Sequence, residues 1–328
     1  MAIKLLERIP RQKALVGTET VSLIYTALTT LVLLFVCERT THPADLLLLR
    51  GLIIGGGLLT YALHYFLPTR GTLLLRYIYP LTLLAVWYPD TYEFCQLFTN
   101  LDPYFAQLDQ WFFACQPSLE FSQWLPEKIW SELFHMGYWA YYPMIFLTIL
   151  APLFGKHPER FPRTAFMVLS CFFLYYFIYL FVPVAGPQYY FCAVGIDTIE
   201  QGIFPAVGEW FRTHTEMLPS PGPEGLFRSL VIDAQTGGER PTAAFPSSHV
   251  GISTILMLLL WLNQQKKLLC LLLPFYVLLC CATVYIQAHY LVDVFGGWIT
   301  AVIFFFITLR LFPFVEKVPT IFRSHNNS

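Results

Sequence analysis

Long apolar runs alternate with short polar segments along the chain. A bilayer hydrocarbon core about 30 Å thick needs about 20 predominantly apolar residues per helix. The runs that approach this length are Val16–Cys37, Leu46–Leu67, Gly71–Trp87, Leu133–Phe154, Thr164–Val184, Val250–Leu262, Leu268–Gln287 and Val294–Phe312. The Val250–Leu262 run is short and counts as a span only if the preceding residues continue its helix. The pattern predicts an all-α integral membrane protein, a bundle of about eight spans.

Basic residues between the spans predict the orientation of the bundle, because Lys and Arg are retained on the cytoplasmic side. They fall in alternate connections, together with the N-terminus: Arg70, the Lys156–Arg163 stretch, Lys266, Lys267, and Lys317 and Arg323 in the tail. The other connections are acidic or long, and the longest covers residues 185–245. Both termini are therefore predicted to be cytoplasmic, with the 185–245 connection facing outward.

Composition agrees with a membrane protein and excludes a nucleic-acid partner. Only 12% of the residues are charged and 56% are hydrophobic, whereas an ordinary soluble domain carries about a quarter charged residues. The 20 Lys and Arg residues are balanced by 21 Asp and Glu residues, so no basic excess is available to bind phosphates along a nucleic acid. The outward segments contain no Asn-x-Ser/Thr sequon. We predict a bacterial inner membrane, with the outward side in the periplasm.

Three regions follow from this organisation. Residues 1–130 hold the N-terminal spans and an aromatic segment, Asp102 to Trp130, whose pattern suits a helix at the membrane surface. Residues 131–313 form the predicted catalytic membrane core with its outward connection, and residues 314–328 form a cytoplasmic tail.

Two short polar clusters lie at predicted helix ends on the outward side. The first reads Phe-Pro-Ser-Ser-His and ends at His249, and the second reads His-Tyr-Leu-Val-Asp and begins at His289. Ionisable residues at a membrane boundary are costly, so those that occur there are candidates for function. Since both helix ends meet the same water layer, we expect the two histidines to be neighbours.

The residue types suit phosphoryl transfer. His289 and Asp293 are four residues apart, so a carboxylate can hold one imidazole nitrogen and leave the other free to attack. Ser247 and Ser248 place hydroxyl and N–H groups at a helix N-terminus, which favours an anion, and His249 can donate a proton to a leaving oxygen. Taken alone, each cluster also fits a structural reading: a helix N-cap for the serines and a structural hydrogen bond for the His–Asp pair.

The two clusters together resemble the second and third signature motifs of the type 2 phosphatidic acid phosphatase superfamily. The resemblance covers residues 245–298 and implies a six-helix membrane core that transfers phosphoryl groups through a phosphohistidine. By position it implies that His289 is the nucleophile, Asp293 its orienting carboxylate and His249 the acid. Ser247 and Ser248 match the phosphate-binding hydroxyl and backbone donors.

Departures from the usual motifs narrow the resemblance. Asp233 stands where the first motif has a Lys, seven positions before Arg240-Pro241, and Thr283 stands where the third has an Arg. With Thr283 there, and with the sequence HYLVDVFGG, the chain is similar to the inositol phosphorylceramide synthase branch. A phosphate still needs cations to hold it, and Arg228 and Arg240 of the outward connection are the candidates.

The sequence thus predicts a membrane phosphotransferase that acts on the head group of a membrane lipid and needs no metal or cofactor. If water is the acceptor, the enzyme is instead a lipid phosphate phosphatase. A second alternative is a non-catalytic transporter whose His and Asp residues line a path. Against the transporter, these residues sit at helix ends, and Arg50 and Arg76 lie near boundaries where their side chains can reach water.

Overall fold

The computed structural model describes residues 5–316, and Lys317 and Arg323 of the predicted tail lie outside them. No β-strand occurs in this part of the chain, which is built from helices. In chain order they are α1 Gly17–Val36, α2 Pro43–Phe66, α3 Arg70–Thr82, α4 Leu84–Cys95, α5 Asp102–Phe113, α6 Pro117–Trp124, α7 Lys128–Trp139, α8 Tyr141–Phe154, α9 Phe161–Tyr179, α10 Pro187–Val194, α11 Ile196–Glu200, α12 Leu226–Gly238, α13 Ser248–Leu262, α14 Lys266–Tyr285 and α15 Leu291–Val315.

Within residues 5–316, six helical stretches are long and apolar enough to cross a membrane. They are α1 with the turn that follows it, α2, α7 joined to α8, α9 with the turn before it, α14 and α15. The seventh apolar helix, α13, is shorter and begins at Ser248. The all-α membrane fold is confirmed, and the described residues hold six long apolar stretches and the shorter α13.

The prediction of one continuous helix over Gly71–Trp87 is wrong, because the helix is interrupted at Leu83, between α3 and α4. Pro80 lacks the N–H that would bond the Arg76 carbonyl, which instead lies 3.5 Å from the Thr18 hydroxyl. Thr82 donates its hydroxyl to the Tyr79 carbonyl at 2.7 Å. A side chain that bonds a carbonyl of the preceding turn competes with the helical ladder, so the two features together weaken the helix at this point.

Segments predicted as surface or loop are more helical than expected. The aromatic stretch after Asn100 forms α5 and α6, separated by Ala114 in the left-handed conformation (φ 58°). Some of its large rings are exposed, including Trp111 and Trp124. The 185–245 connection, predicted to face outward, contains α10, α11 and α12. Both segments position the site described below.

Contacts divide the chain into two compact units, and the three predicted regions stay a prediction. The first unit comprises the described parts of Met1–Asp90, Phe146–Leu174 and Ile303–Ser328. The second comprises Thr91–Ile145 and Tyr175–Val302, and in it α14 packs against α6, α7 and α13.

Buried ion pairs distinguish the first unit. Arg50 is 2% exposed and donates to both carboxylate oxygens of Asp90 at 3.1 and 2.9 Å. Arg76 is fully buried and donates to Glu19 at 2.7 and 2.6 Å. The prediction that these arginines reach towards water is therefore wrong: each guanidinium is buried, and its charge is matched by a carboxylate within the protein.

Candidate active site

The Phe-Pro-Ser-Ser-His cluster forms a tight turn that leads into α13. Ser247 is the N-cap, and its hydroxyl accepts a hydrogen bond from the Val250 N–H at 3.3 Å. Tyr179 holds the same turn, because its hydroxyl donates to the Pro246 carbonyl at 2.8 Å and accepts from the Ser248 N–H at 3.1 Å. The capping role predicted as the structural alternative for the serines is present. The role of Tyr179 was not predicted, because nothing in the sequence distinguishes it from the other aromatic residues of its helix.

His289 lies in the turn between α14 and α15 and is 4% exposed. Its N–H bonds the Thr283 carbonyl at 3.0 Å, and its Nδ1 lies 2.8 Å from the Ala244 carbonyl oxygen. Because a carbonyl only accepts, Nδ1 carries the proton in this bond and Nε2 keeps its lone pair. Burial lowers the pKa of His289 to about 4, against the smaller opposing effect of the Ala244 hydrogen bond. The imidazole is therefore neutral near pH 7, as a nucleophile must be.

Asp293 is fully buried one turn beyond His289. Its Oδ2 accepts the Tyr290 N–H at 2.9 Å and lies 3.6 Å from His289 Nδ1. The hydrogen bond that fixes the His289 ring is thus the one to the Ala244 carbonyl, and the Asp293 carboxyl lies just beyond hydrogen-bond distance of the same nitrogen. Asp293 also joins the two sequence clusters, because its carbonyl accepts the Ser247 N–H at 3.1 Å.

The structure brings the two histidines together, as predicted. The ring centroids of His249 and His289 are 5.7 Å apart, at an interplanar angle of 64°. His249 is partly exposed whereas His289 is buried. Two imidazoles at this separation can act on the same phosphate ester. One can attack the phosphorus atom while the other donates a proton to the leaving oxygen.

Two carboxylates of α5 hold this region, although no sequence motif marks them. Asp102 of α5 accepts the Ala185 and Gly186 N–H groups at 2.7 and 2.8 Å and the Tyr290 hydroxyl at 2.9 Å. Its burial raises its pKa to about 6, and these hydrogen bonds oppose the rise. Their partners lie far away in sequence, so only the fold reveals the role.

Asp109 of the same helix caps the start of α15. It accepts the Leu291 and Val292 N–H groups at 2.9 and 3.0 Å. A carboxylate at a helix N-terminus satisfies otherwise unpaired donors and interacts favourably with the helix dipole. Asp109 thereby fixes the two residues that follow Tyr290, and so the turn that carries His289.

Gly297 allows α15 to approach the turn before α13 closely. A Cβ at Gly297 would lie 2.7 Å from the Ser247 carbonyl oxygen, and one at Gly296 would lie 2.6 Å from the Phe245 ring. Carbon and oxygen cannot approach this closely without displacement of the backbone. The paired glycines of the HYLVDVFGG motif are thus required for contact between the two clusters.

The two candidate arginines lie in the same unit but make other contacts. Arg228 directs its guanidinium to the Ser220 carbonyl at 3.1 and 2.6 Å. Arg240 is exposed and donates to the Glu239 carbonyl at 3.0 Å. Among the described residues neither contacts His249 or His289, so their role in binding phosphate stays a prediction.

The fold and the site define a class of protein: a helical membrane protein in which two histidines from separate helix ends converge beside a capped helix N-terminus. The family model described as the PAP2 superfamily matches residues 103–307. This match covers more than half of the chain, and the chain therefore belongs to the PAP2 superfamily, whose members are phosphatases and phosphotransferases that act on phosphate esters. No curated protein and no solved structure gives a significant match to the chain.

Proposed function

We propose that this protein is a membrane phosphotransferase that acts on lipid phosphate or phosphodiester head groups through a phosphohistidine at His289. The observation that carries the proposal is the arrangement of His289: its Nδ1 is held by the Ala244 carbonyl at 2.8 Å, and its ring centroid lies 5.7 Å from that of His249. This leaves Nε2 as a neutral nucleophile with a second imidazole within reach of the same substrate.

The reaction has two steps with complementary proton transfers. In the first, the Nε2 lone pair of His289 attacks phosphorus, the ester P–O bond breaks, and His249 gives its proton to the leaving oxygen. In the second, His249 takes a proton from an acceptor hydroxyl, the acceptor oxygen attacks phosphorus, and the P–N bond to His289 breaks. Asp293, 3.6 Å from Nδ1, favours the positive charge that develops on His289.

Negative charge on the transferring group needs donors and cations. The N-terminus of α13, with Ser247 and Ser248, supplies backbone N–H groups and a favourable dipole. Arg240 and Arg228 are the proposed cations. Arg240 has the stronger support, because its exposed guanidinium can turn towards a substrate, whereas Arg228 is already held by Ser220.

An alcohol acceptor is favoured by the resemblance to inositol phosphorylceramide synthases, which rests on Thr283 and the HYLVDVFGG motif. The second candidate is a lipid phosphate phosphatase, in which water is the acceptor. The partial exposure of His249 supports it, because water can reach the residue that would activate it.

The proposed location is a bacterial inner membrane, with the site on the periplasmic face and both termini in the cytoplasm. Support comes from the basic connections, such as the Lys156–Arg163 stretch and the Lys266–Lys267 pair. Because α3 and α4 are each short, this orientation requires that Arg70–Cys95 make one crossing together. Cysteines introduced in single connections and labelled from one side test this directly.

The decisive experiment follows products with and without an alcohol acceptor. Purified protein is incubated with phosphatidic acid, and separately with phosphatidylinositol plus ceramide, and released phosphate and new lipid are measured. Release of phosphate from phosphatidic acid, or of inositol phosphate from phosphatidylinositol, indicates water as the acceptor, and a new phospholipid indicates the transferase. Lack of turnover with every donor, together with transport in vesicles, would favour the transporter.

His289→Asn is the matched variant, because an Asn side-chain N–H can still bond the Ala244 carbonyl while the nucleophile is lost. We expect activity to fall by about 10⁴-fold or more. We also expect an acid-labile, base-stable phosphoprotein in the wild type that is absent from the variant. Equal turnover by the two proteins would remove His289 from the mechanism.

A further inference from the structure

His249 is surrounded by aromatic rings. Its ring centroid lies 4.6 Å from that of Tyr138, with the planes 25° apart, and 4.5 Å from that of Tyr141, with the planes 43° apart. Both tyrosines are at least nine-tenths buried. Within residues 5–316 the His249 imidazole makes no hydrogen bond, and its ring neighbours are Tyr138, Tyr141 and His289.

A stack of this kind has an electrostatic consequence. The face of an aromatic ring carries negative charge density and attracts a cation within about 6 Å of its centroid. The neutral imidazole gains packing from the two rings, and the protonated imidazolium gains this attraction in addition. The attraction is stronger where water is excluded, which is the case for the buried faces of Tyr138 and Tyr141.

Tyr138 is itself held in place by a polar network. Its hydroxyl donates to Glu239 Oε1 at 3.2 Å, and Glu239 Oε2 accepts from the Gln188 side chain at 2.9 Å. The Gln188 N–H bonds the Gln287 carbonyl at 2.9 Å, two residues before His289. One hydrogen-bond network thus connects Tyr138, which packs against His249, with the turn that carries His289.

Building on the proposed function, we propose that Tyr138 and Tyr141 are positioning residues for the acid: they hold the His249 imidazole against the leaving group and stabilise its protonated form. Each element packed against His249 contributes one facing group. These are Tyr138 from α7, Tyr141 from α8 and His289 from the turn before α15, with the Glu239 carboxylate behind the Tyr138 hydroxyl. Burial of the imidazole and the neighbouring His289 oppose the protonated form, whereas the two ring faces favour it.

The step in which this matters is the breaking of the ester P–O bond. An alkyl alcohol leaves only if it receives a proton, and His249 supplies it, whereas an aryl phosphate releases a stabilised phenolate that needs none. General acid catalysis contributes about 10²- to 10⁴-fold. Weakened support of His249 should therefore slow alkyl esters and spare aryl esters.

The test compares Tyr138→Leu and Tyr141→Leu with Tyr142→Leu, the same substitution at an exposed neighbour whose ring contacts Tyr141 and not His249. Hydrolysis of an alkyl phosphate and of p-nitrophenyl phosphate is measured across pH. For each of the first two variants we expect about a 10- to 100-fold loss on the alkyl ester, with the aryl ester within about three-fold of wild type. The alkaline limb of the pH profile should move about one pH unit lower, because loss of a ring face disfavours the protonated form.

Tyr138→Phe distinguishes the effect of the ring face from that of the hydroxyl group. It also preserves the shape of the site in case the Tyr138→Leu variant does not fold. It retains the face and loses the bond to Glu239, so a smaller shift is expected. Equal losses on both esters, or effects no larger than those of Tyr142→Leu, would overturn the proposal.

A direct titration keeps this outcome distinct from failure of the proposed function. The wild type and the Tyr138→Leu variant are labelled with ¹⁵N-histidine in lipid nanodiscs, and the His249 signal, assigned with His249→Asn, is followed against pH. A lower midpoint in the variant supports the proposal even if neither ester is turned over. Absence of turnover would count against the proposed phosphotransfer but not against the role of the two tyrosines. An unchanged midpoint contradicts it even in an active enzyme.

Discussion

The two units of the chain differ in their buried ion pairs. In the first, Arg76 meets Glu19 and Arg50 meets Asp90, so each charge has its counterpart inside the protein. In the second, the buried carboxylates Asp102 and Asp109 accept backbone N–H groups. There the His249 imidazole keeps hydrogen-bonding capacity that no described residue uses. Matched charges fix a fold, whereas unused capacity is available to a substrate, so we expect substitutions to affect stability in the first unit and catalysis in the second.

Arg76→Met should have the largest effect on stability. It leaves Glu19 buried without its cation, which typically costs about 3–5 kcal/mol, so the thermal unfolding midpoint in detergent should fall by many degrees. Glu19→Gln added to Arg76→Met should recover part of the loss, since no charge is then left unpaired. Activity per folded molecule should be unchanged, and a loss of turnover as large as the loss of stability would break the comparison.

Gly297→Ala tests the close approach within the site. The added methyl group would meet the Ser247 carbonyl, and overpacking of this kind typically costs about 1–3 kcal/mol. We expect activity to fall about 10-fold or more as the two histidine turns separate. The control is Gly51→Ala, also in a helix, where a Cβ has open space. Its stability should be unchanged or slightly higher, because Ala is the better helix former.

Asp109→Asn removes a charged acceptor from the start of α15 but keeps one carbonyl oxygen for the two N–H groups. We expect about a 10-fold loss of turnover, from a less well-fixed His289 turn, with a stability loss of about 1 kcal/mol. Asp233→Asn is the matched control, since Asp233 is exposed on α12. Turnover equal to that of the control would show that the cap does not position His289.

The smallest expected effect is the shape of the pH profile. Burial lowers the pKa of His289 to about 4, so the nucleophile stays neutral down to that pH and activity should collapse only below it. Burial raises the pKa of Asp102 to about 6. As the pH falls through 6, Asp102 takes up a proton and becomes a weaker acceptor for Ala185 and Gly186, so a partial loss of a few-fold is expected there. Burial raises the pKa of Asp109 to about 6 as well, so Asp102→Asn should reduce the step near pH 6 without abolishing it, and should keep the one near pH 4.

Sequence patterns predicted the fold class and the two histidines well, for a physical reason. Spans need long apolar runs, so the few polar residues left in such a chain stand out, and two of them, His249 and His289, lie side by side in the structure. The break at Leu83 was missed because it depends on two local hydrogen-bonding effects, at Pro80 and Thr82, inside an otherwise apolar run. Arg50 was misread because a basic residue near a span end has the same pattern whether it reaches water or meets a distant carboxylate.

The remainder of the site could not be predicted because its contacts join residues far apart in sequence. Asp102 bonds Tyr290, 188 positions later, and Tyr138 bonds Glu239, 101 positions later. Nothing near these residues in sequence announces a partner. Tyr179 is one of several aromatic residues in α9, and only its place beside the Ser248 N–H makes it special.

The acceptor that fixes the His289 ring is a main-chain oxygen, that of Ala244. Every amino acid supplies this atom, so a mutational scan of position 244 will not delete it, and the tautomer of His289 is protected from any single codon change there. Only chemical synthesis can probe it: replacing the amide that joins Ala244 to Phe245 by an ester would weaken the carbonyl while leaving every side chain in place.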